Sequence, residues 1–356
     1  MSHPRLSILV VNYKRYDYLR DCLESVFNSQ LSEYEVIVID HETDELLLNN
    51  IKSSFPQVQY EATEKNAGFA AGYNRAMQLA RGEYFFLLNN DTVLDRAVNN
   101  QVLDVFQRNP LVAAIQPLIV FYDNQGIINN TGLEFQFLGY AWDRGFKQHL
   151  NKYRSEKRPL LFSGAAVILN KSAIEVVGSF DPDYFLYHED VDLALRLRNA
   201  GYFIELAPSL VVYHRYAFKA EAWRYYYLER NRWFTIIKNY PLGIILAILP
   251  AAVFMEFGVL IYSIFSGWPI EKIRSWWAIA HALPGLLKKR RIIGKIRITS
   301  RQFINGLKGG VVFQELNSPL LKFIANPLLE IYWLILSWVV MFGSVLLGIQ
   351  NRKGTI

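Results

Sequence analysis

The chain has 356 residues, enough for a full α/β domain and an appended piece, with 38 Lys and Arg against 32 Asp and Glu. Its single cysteine, Cys22, excludes an intramolecular disulfide and any multi-cysteine metal site, and fits a reducing compartment. From Lys238 onward 14 Lys and Arg face only 4 Asp and Glu, so the basic charge belongs to the most apolar part of the chain. That pairing points to an anionic membrane surface, and the absence of helix-turn-helix, finger and RNA-binding signatures points away from nucleic acid.

In chain order, LSILVVNY (6–13) reads as a buried strand that turns polar at Asn12 and Tyr13, and it is too short for a secretory signal core. Tyr18 to Ser29 spaces Leu19, Cys22, Leu23, Val26 and Phe27 as an amphipathic helix does. EVIVID (35–40) is a second buried strand, ending on Asp40. NAGFAAGYNRAMQLARG (66–82) is a helix opened by glycine, and EYFFLLNND is a third strand that ends in Asn89, Asn90 and Asp91. The spacing of Gly68 and Gly72 fits neither the Rossmann nor the Walker loop, so close packing of a helix start is the expectation, with Asn66 as its cap. Strand and helix in alternation predict a parallel sheet with crossover helices, whose ligands bind at the carboxyl ends of the strands. Asn12, Tyr13, Asp40 and Asp91 should then converge on one crevice.

The last third differs in kind. Residues 242–265 and 327–349 are apolar stretches, each long enough for a hydrocarbon core of roughly 30 Å. Between them 270–297 sets Trp276 and Trp277 beside basic residues, as an interfacial helix would. Two complete spans would carry residues 266–326, with 11 Lys and Arg, away from the amino-terminal domain, which the positive-inside rule opposes. A re-entrant hairpin bending at Pro250 would avoid this, and a soluble helical domain is the alternative. The expected division is a catalytic domain over 1–237 and a basic, membrane-associated helical tail over 238–356.

FDPDYFLYHEDVDLALRLRNAGY (180–202) crowds Glu189, Asp190 and Asp192 at a helix start. The helix dipole alone would accommodate them, whereas a catalytic role needs one of them raised in pKa inside a cleft.

Together with these acids, the segments SILVVNYKR, EVIVIDHETDE, NAGFAAGYNRAM, YFFLLNNDT, SGAAVILNKSAIEVVGSFDPDYFLYHEDVDLALRLRNAGY and VVYHR resemble a family 2 glycosyltransferase of the rhamnosyltransferase-like group. The resemblance covers residues 5–237. It implies the α/β GT-A nucleotide-diphospho-sugar transferase fold: a mostly parallel central sheet with flanking helices, here followed by membrane-associated helices. It matches Tyr13 and Asp40 to the nucleotide base, Asp91 to the last acid of a metal-binding Asp-any-Asp motif, Asp190 to the catalytic base, and His214 to a histidine at the metal or diphosphate. Asn66, Asn89 and Asn90 fall near the donor by position. Asn89 departs from the stricter Asp, which leaves open whether Mg²⁺ or Mn²⁺ is the divalent metal. In YLERNRW (227–233), Arg230 or Arg232 is expected near the diphosphate or acceptor, Trp233 on the acceptor side, and Glu189 and His188 tuning the base.

The implied activity is an inverting transfer of a sugar from a nucleotide-diphosphate donor to a glycan acceptor, in cell-surface polysaccharide or glycan assembly. The tail favours a polyprenyl-linked acceptor at the cytoplasmic face of the cell membrane, and the resemblance points first to rhamnosyl transfer from dTDP-rhamnose. A processive polysaccharide synthase is one alternative, and would want several consecutive spans. A non-catalytic glycan- or nucleotide-binding membrane protein is the other, and would not need Asp40, Asp91 and Asp190 intact. Oligomeric state is not legible.

Overall fold

In a computed structural model describing residues 3–153, 158–217, 221–312 and 319–346, the first strand, β1 (Leu6–Tyr13), occupies the expected span. It is followed by α1 (Tyr16–Phe27), β2 (Tyr34–His41), α2 (Glu45–Ser54), β3 (Gln59–Thr63), α3 (Gly68–Leu79) and β4 (Tyr84–Asn89). β3, β2, β1 and β4 lie side by side, all parallel. Because successive strand side chains point to opposite faces, the continuous apolar runs feed two cores. Leu9, Ile37, Phe85 and Leu87 pack with Ala70 and Tyr73 of α3, whereas Ile8, Val10, Val38, Phe86 and Leu88 pack with Leu19, Cys22 and Leu23 of α1. The glycines of α3 act as expected. A Cβ on Gly72 would sit 2.8 Å from His41 Nε2 and 2.9 Å from Val11, and Gly68 takes φ +85° against Phe185.

The second half of the sheet is mixed. Next come β5 (Thr92–Leu94), α4 (Asp104–Arg108), β6 (Val112–Phe121), β7 (Ile128–Asn130), the paired β8 (Leu133–Phe135) and β9 (Ala141–Asp143), β10 (Ala166–Asn170), α5 (Lys171–Val177), α6 (Glu189–Asn199) and β11 (Phe203–His214). β10 enters between β4 and β6, antiparallel to both, and β11 joins β6 in parallel and β5 in antiparallel. The parallel sheet foreseen from the alternation is therefore its first half. β10 runs back because the connection from β6 makes an excursion through β7, β8 and β9 rather than a single crossover helix.

The carboxy-terminal helices are α7 (Ala222–Asn239), α8 (Leu242–Phe265), α9 (Pro269–Ile293), α10 (Ser300–Ile304) and α11 (Asn326–Leu346). α8 is one continuous helix through Pro250, so the hairpin bend expected there does not occur. A proline removes one backbone donor, and a helix with further turns on both sides tolerates the loss. α9 is not free at an interface along its whole circumference, since Lys272, Ser275, Leu286 and Ile293 are buried. Its Lys272 joins Glu229 and Arg232 of α7 and Glu256 of α8 in a closed ion cluster. The Trp233 and Trp276 indoles also donate to Glu256, at 2.9 and 2.6 Å.

Removing one member of such a cluster strands the others in a dry environment. Arg232→Met should therefore destabilise the protein by about 3–5 kcal/mol, read from the denaturant midpoint. Unchanged stability with lost transfer would instead return Arg232 to the substrate site.

Candidate active site

The strand register sets Asn12 opposite Asp40, and Val11 opposite Asn89. A hydrogen-bonded relay then crosses the three strand ends. Asn90 Nδ2 donates to Asn12 Oδ1 (2.6 Å), and Asn12 Nδ2 donates to Asp40 Oδ1 (2.6 Å). Tyr16 Oη donates to Asp40 Oδ2 (2.7 Å) and accepts the Asp44 N–H (2.8 Å). The convergence of Asn12, Asp40 and the Asn89–Asp91 turn is thus present, but Asp40 corrects the expectation of a direct base contact. It is 0% exposed, with both oxygens turned to protein partners, so it braces the strand ends. The open positions beside it are Tyr13, 42% exposed, and Glu42, which pairs with Lys14 at 2.6 Å.

Asp91 lies in the turn between β4 and β5, and the pairing of His214 with Thr92 carries the histidine to it. Asp91 Oδ1 is buried, has no hydrogen-bond partner, and stands 3.5 Å from His214 Nε2. The other ring nitrogen, Nδ1, is 2.8 Å from Asn129 Oδ1. An amide oxygen only accepts, so Nδ1 is the donor of this contact, which turns Nε2 toward Asp91. An aspartate beside a histidine at the strand ends is a donor pair that would suit a divalent cation. No group of three ligating side chains exists among the described residues. Asn89 offers its Oδ1 to Tyr73 Oη at 3.3 Å.

Asp190 sits in the first turn of α6. Its Oδ2 accepts the Gly164 N–H (2.9 Å) and its Oδ1 the Val191 N–H (2.8 Å). Gly164 allows this approach, since a Cβ there would already touch Phe69 at 3.1 Å and Asp190 at 3.4 Å. Burial pushes the Asp190 carboxyl above its ordinary value, against the pull of those N–H donors. Its neighbour Glu189 is buried with Oε2 unpaired, and burial followed by the Asp190 charge raises it well above the usual range. His188 is held neutral, its pKa lowered to about 4 first by burial and then by the Arg232 charge. Asp192 belongs to the scaffold, between Arg196 (2.9 Å) and Lys238 (2.8 Å). The Asp91 and Asp190 regions adjoin through one short segment, because Ala165, next to Gly164, accepts the Asn89 N–H at 3.0 Å.

The loop entering α6 is strained: Phe185, Tyr187 and His188 all have φ between 62° and 67°. Asn231 of α7, fully buried, holds it. Its Nδ2 lies 3.0, 2.8 and 2.7 Å from the carbonyls of Tyr184, Leu186 and Tyr187. Arg230 donates to the carbonyls of Asp183 and Tyr184 and lies over Tyr226 and Tyr227. Arg232, 1% exposed, is given to Glu229, Glu256 and the Leu138 carbonyl. Arg230 and Arg232, expected near the donor or acceptor, are thus held mainly by protein groups, although Arg232 Nε is buried without a partner. Trp233 is likewise tied to Glu256. Asn66 accepts the Gly68 N–H at 2.8 Å from one residue ahead of the N-cap, which is Ala67 rather than the expected Asn66.

Sequence reasoning passed over Tyr16, Gly164 and Asn129. Gly164 stood in a quoted segment directly before a strand, a position where glycine signals close approach. Nothing in sequence spacing marks Asn129, which reaches His214 across 85 residues.

Residues 7–177 match the family model described as glycosyl transferase family 2. The N-acetylglucosaminyl-diphospho-decaprenol L-rhamnosyltransferase of Mycobacterium tuberculosis is 26% identical over 238 residues, covering 60% of this chain and 76% of that protein. Rhamnosyltransferase WbbL of Escherichia coli is 24% identical over 250 residues, covering 63% and 93%. A crystal structure of GalNAc-T7 with UDP, GalNAc and Mn²⁺ superposes with a TM-score of 0.56 at 15% identity, over 75% of this chain and 58% of that one. That last likeness shows a common GT-A fold. Sheet order, strand-end acids and sequence agree in making residues 7–177 similar to glycosyl transferase family 2.

Proposed function

We propose that the protein is an inverting glycosyltransferase that moves a sugar, with rhamnose from dTDP-rhamnose the first candidate, onto a lipid-linked glycan acceptor. The observation that carries this reading is the placement of Asp190: a carboxylate oriented by two backbone N–H groups, raised in pKa by burial, beside the strand ends that bear Asp91 and His214. The mycobacterial relative acts on a decaprenol-linked acceptor, and a polyprenyl-diphosphate sugar is the acceptor class assigned here.

In this reading Asp190 takes the proton of the acceptor hydroxyl as that oxygen attacks the anomeric carbon. A single displacement follows, with the nucleoside diphosphate leaving from the opposite face and the configuration inverting. The Gly164 and Val191 N–H groups fix the carboxylate's direction, and Asn231 fixes the loop that precedes it. His188, its pKa lowered to about 4 by burial, adds no charge next to the base. Asp91 and His214 would hold a divalent cation, which supplies charge neutralisation for the departing diphosphate. Asn129 would orient the imidazole from behind.

Asp190→Asn should lower kcat by about 10²–10⁴-fold while leaving nucleotide-sugar affinity near that of the wild type. The base works deprotonated and its pKa is raised, so transfer should fall as pH drops through a midpoint above the ordinary aspartate value of about 3.9. A kcat/KM profile flat down to that value would remove Asp190 from the role.

Chelation should stop transfer, and Mg²⁺ or Mn²⁺ should restore it. Asn129→Ala should weaken Mn²⁺ binding by about 10–100-fold, followed by the electron paramagnetic resonance of the free ion. Full activity in chelator would show that Asp91 and His214 hold no metal.

A further inference from the structure

The exposed apolar surface and the way the helices are tied together bear on how this chain meets a membrane. We propose that it is monotopic: α8 and the outer faces of α9 and α11 lie in the surface of an anionic bilayer, and neither apolar helix crosses it. The inference deepens the reading above, since it rests on the chain working at a membrane.

Length and composition alone permit spans at 242–265 and 321–342. Connectivity opposes the first. α8 starts two residues after α7 ends, so its beginning lies at the carboxy-terminal end of α7. Just past its end, Trp268 stacks on Tyr225 in the first turn of α7, with ring centroids 4.5 Å apart. Midway, Glu256 meets Arg232 and Trp233. α8 is therefore tied to α7 at its beginning, at its middle and just past its end. α7 also carries Asn231 and Lys238, which hold the catalytic loop and α6. An α8 crossing the bilayer would drag these charges and the sheet behind them into hydrocarbon, at a cost no apolar face offsets. α11 is bound in the same way. Trp333 stacks on Phe137 at 5.0 Å, and Tyr332 Oη donates to the Ala247 carbonyl at 2.6 Å.

What remains uncovered is one-sided. On α8, Leu246, Val253, Phe257 and Ile261 recur at helical spacing, and each is more than half exposed. α11 turns out Ile331, Trp338 and Phe342. Apolar surface on this scale is foreign to a water-exposed monomer. The exposed face of α9 begins with Ile273 and Trp277 and ends with Lys288 and Arg291, the apolar-to-basic order that suits an anionic headgroup layer. This arrangement also removes the charge conflict between two spans, because the basic segment 266–312 stays on the side of the catalytic domain.

The test uses full-length protein with vesicles of phosphatidylcholine alone or with phosphatidylglycerol. Flotation should rise with phosphatidylglycerol and fall with salt, and Phe257→Glu should reduce it by about tenfold or more. Equal binding to both vesicles would overturn the anionic surface, and no binding to either would overturn the membrane reading altogether. For topology, Ser53→Cys, Ser266→Cys and Lys295→Cys are placed singly in a Cys22→Ala background and reconstituted in sealed vesicles. A membrane-impermeant maleimide should label all three from the same side. Protection of positions 266 and 295 when position 53 reacts would overturn the monotopic arrangement and leave membrane binding intact.

Discussion

Six polar side chains of α7 (Glu229, Asn231, Arg232, Thr235, Lys238 and Asn239) are withdrawn from water, and a buried polar group must find its partner within the protein. Those partners are spread over everything the molecule needs to hold in place. Asn231 takes the carbonyls of the loop before Asp190, and Lys238 and Asn239 take Asp192 inside α6. Thr235 meets the Tyr184 hydroxyl, while Glu229 and Arg232 take Lys272 and Glu256 from the two helices outside. The helix is the bolt between the sheet and the apolar layer. Leaving any one of these groups unpartnered would cost of the order of one to several kcal/mol, which is why its position is so narrowly defined.

A second constraint acts at the strand ends. Asn90, Asn12, Asp40 and Tyr16 form a line of hydrogen bonds in which each member satisfies the next. The line fixes where the β4–β5 turn begins, and the pairing of β5 with β11 then sets His214 against Asp91. Rigidity at the base of the cleft comes from this buried polar row, and the chemistry stands on its rim.

Much of this was legible in the residues. The apolar run from Leu6 to Tyr13 specified a strand with the observed bounds, and three strands ending in Asn or Asp specified a common polar edge. The turn character of Asn89–Asp91 was visible, and the turn is present between β4 and β5. What escaped was depth. Asp40 and Arg232 carry the charges expected of ligand-binding groups, yet whether a charge faces a cleft or a neighbour is decided by register and helix packing. Tyr16 reaches Asp40 across 24 residues, and Glu256 reaches Arg232 across the same interval. A re-entrant bend at Pro250 would have kept the basic linker beside the catalytic domain, but α8 runs through it as one continuous helix.

The left-handed backbone at Phe185, Tyr187 and His188 deserves a last consequence. Each such residue costs of the order of 1–3 kcal/mol, and the cost is met by α7 through Asn231. The site is in this sense wound against its support. If α7 loosens its grip, the loop has lower-energy conformations to fall into, and Asp190 loses its aim while the sheet and its two cores remain folded. Competence and foldedness are then separate properties of this molecule. A preparation can look native by its secondary structure and still be catalytically slack, because the first thing it surrenders is a few degrees of backbone torsion ahead of one carboxylate.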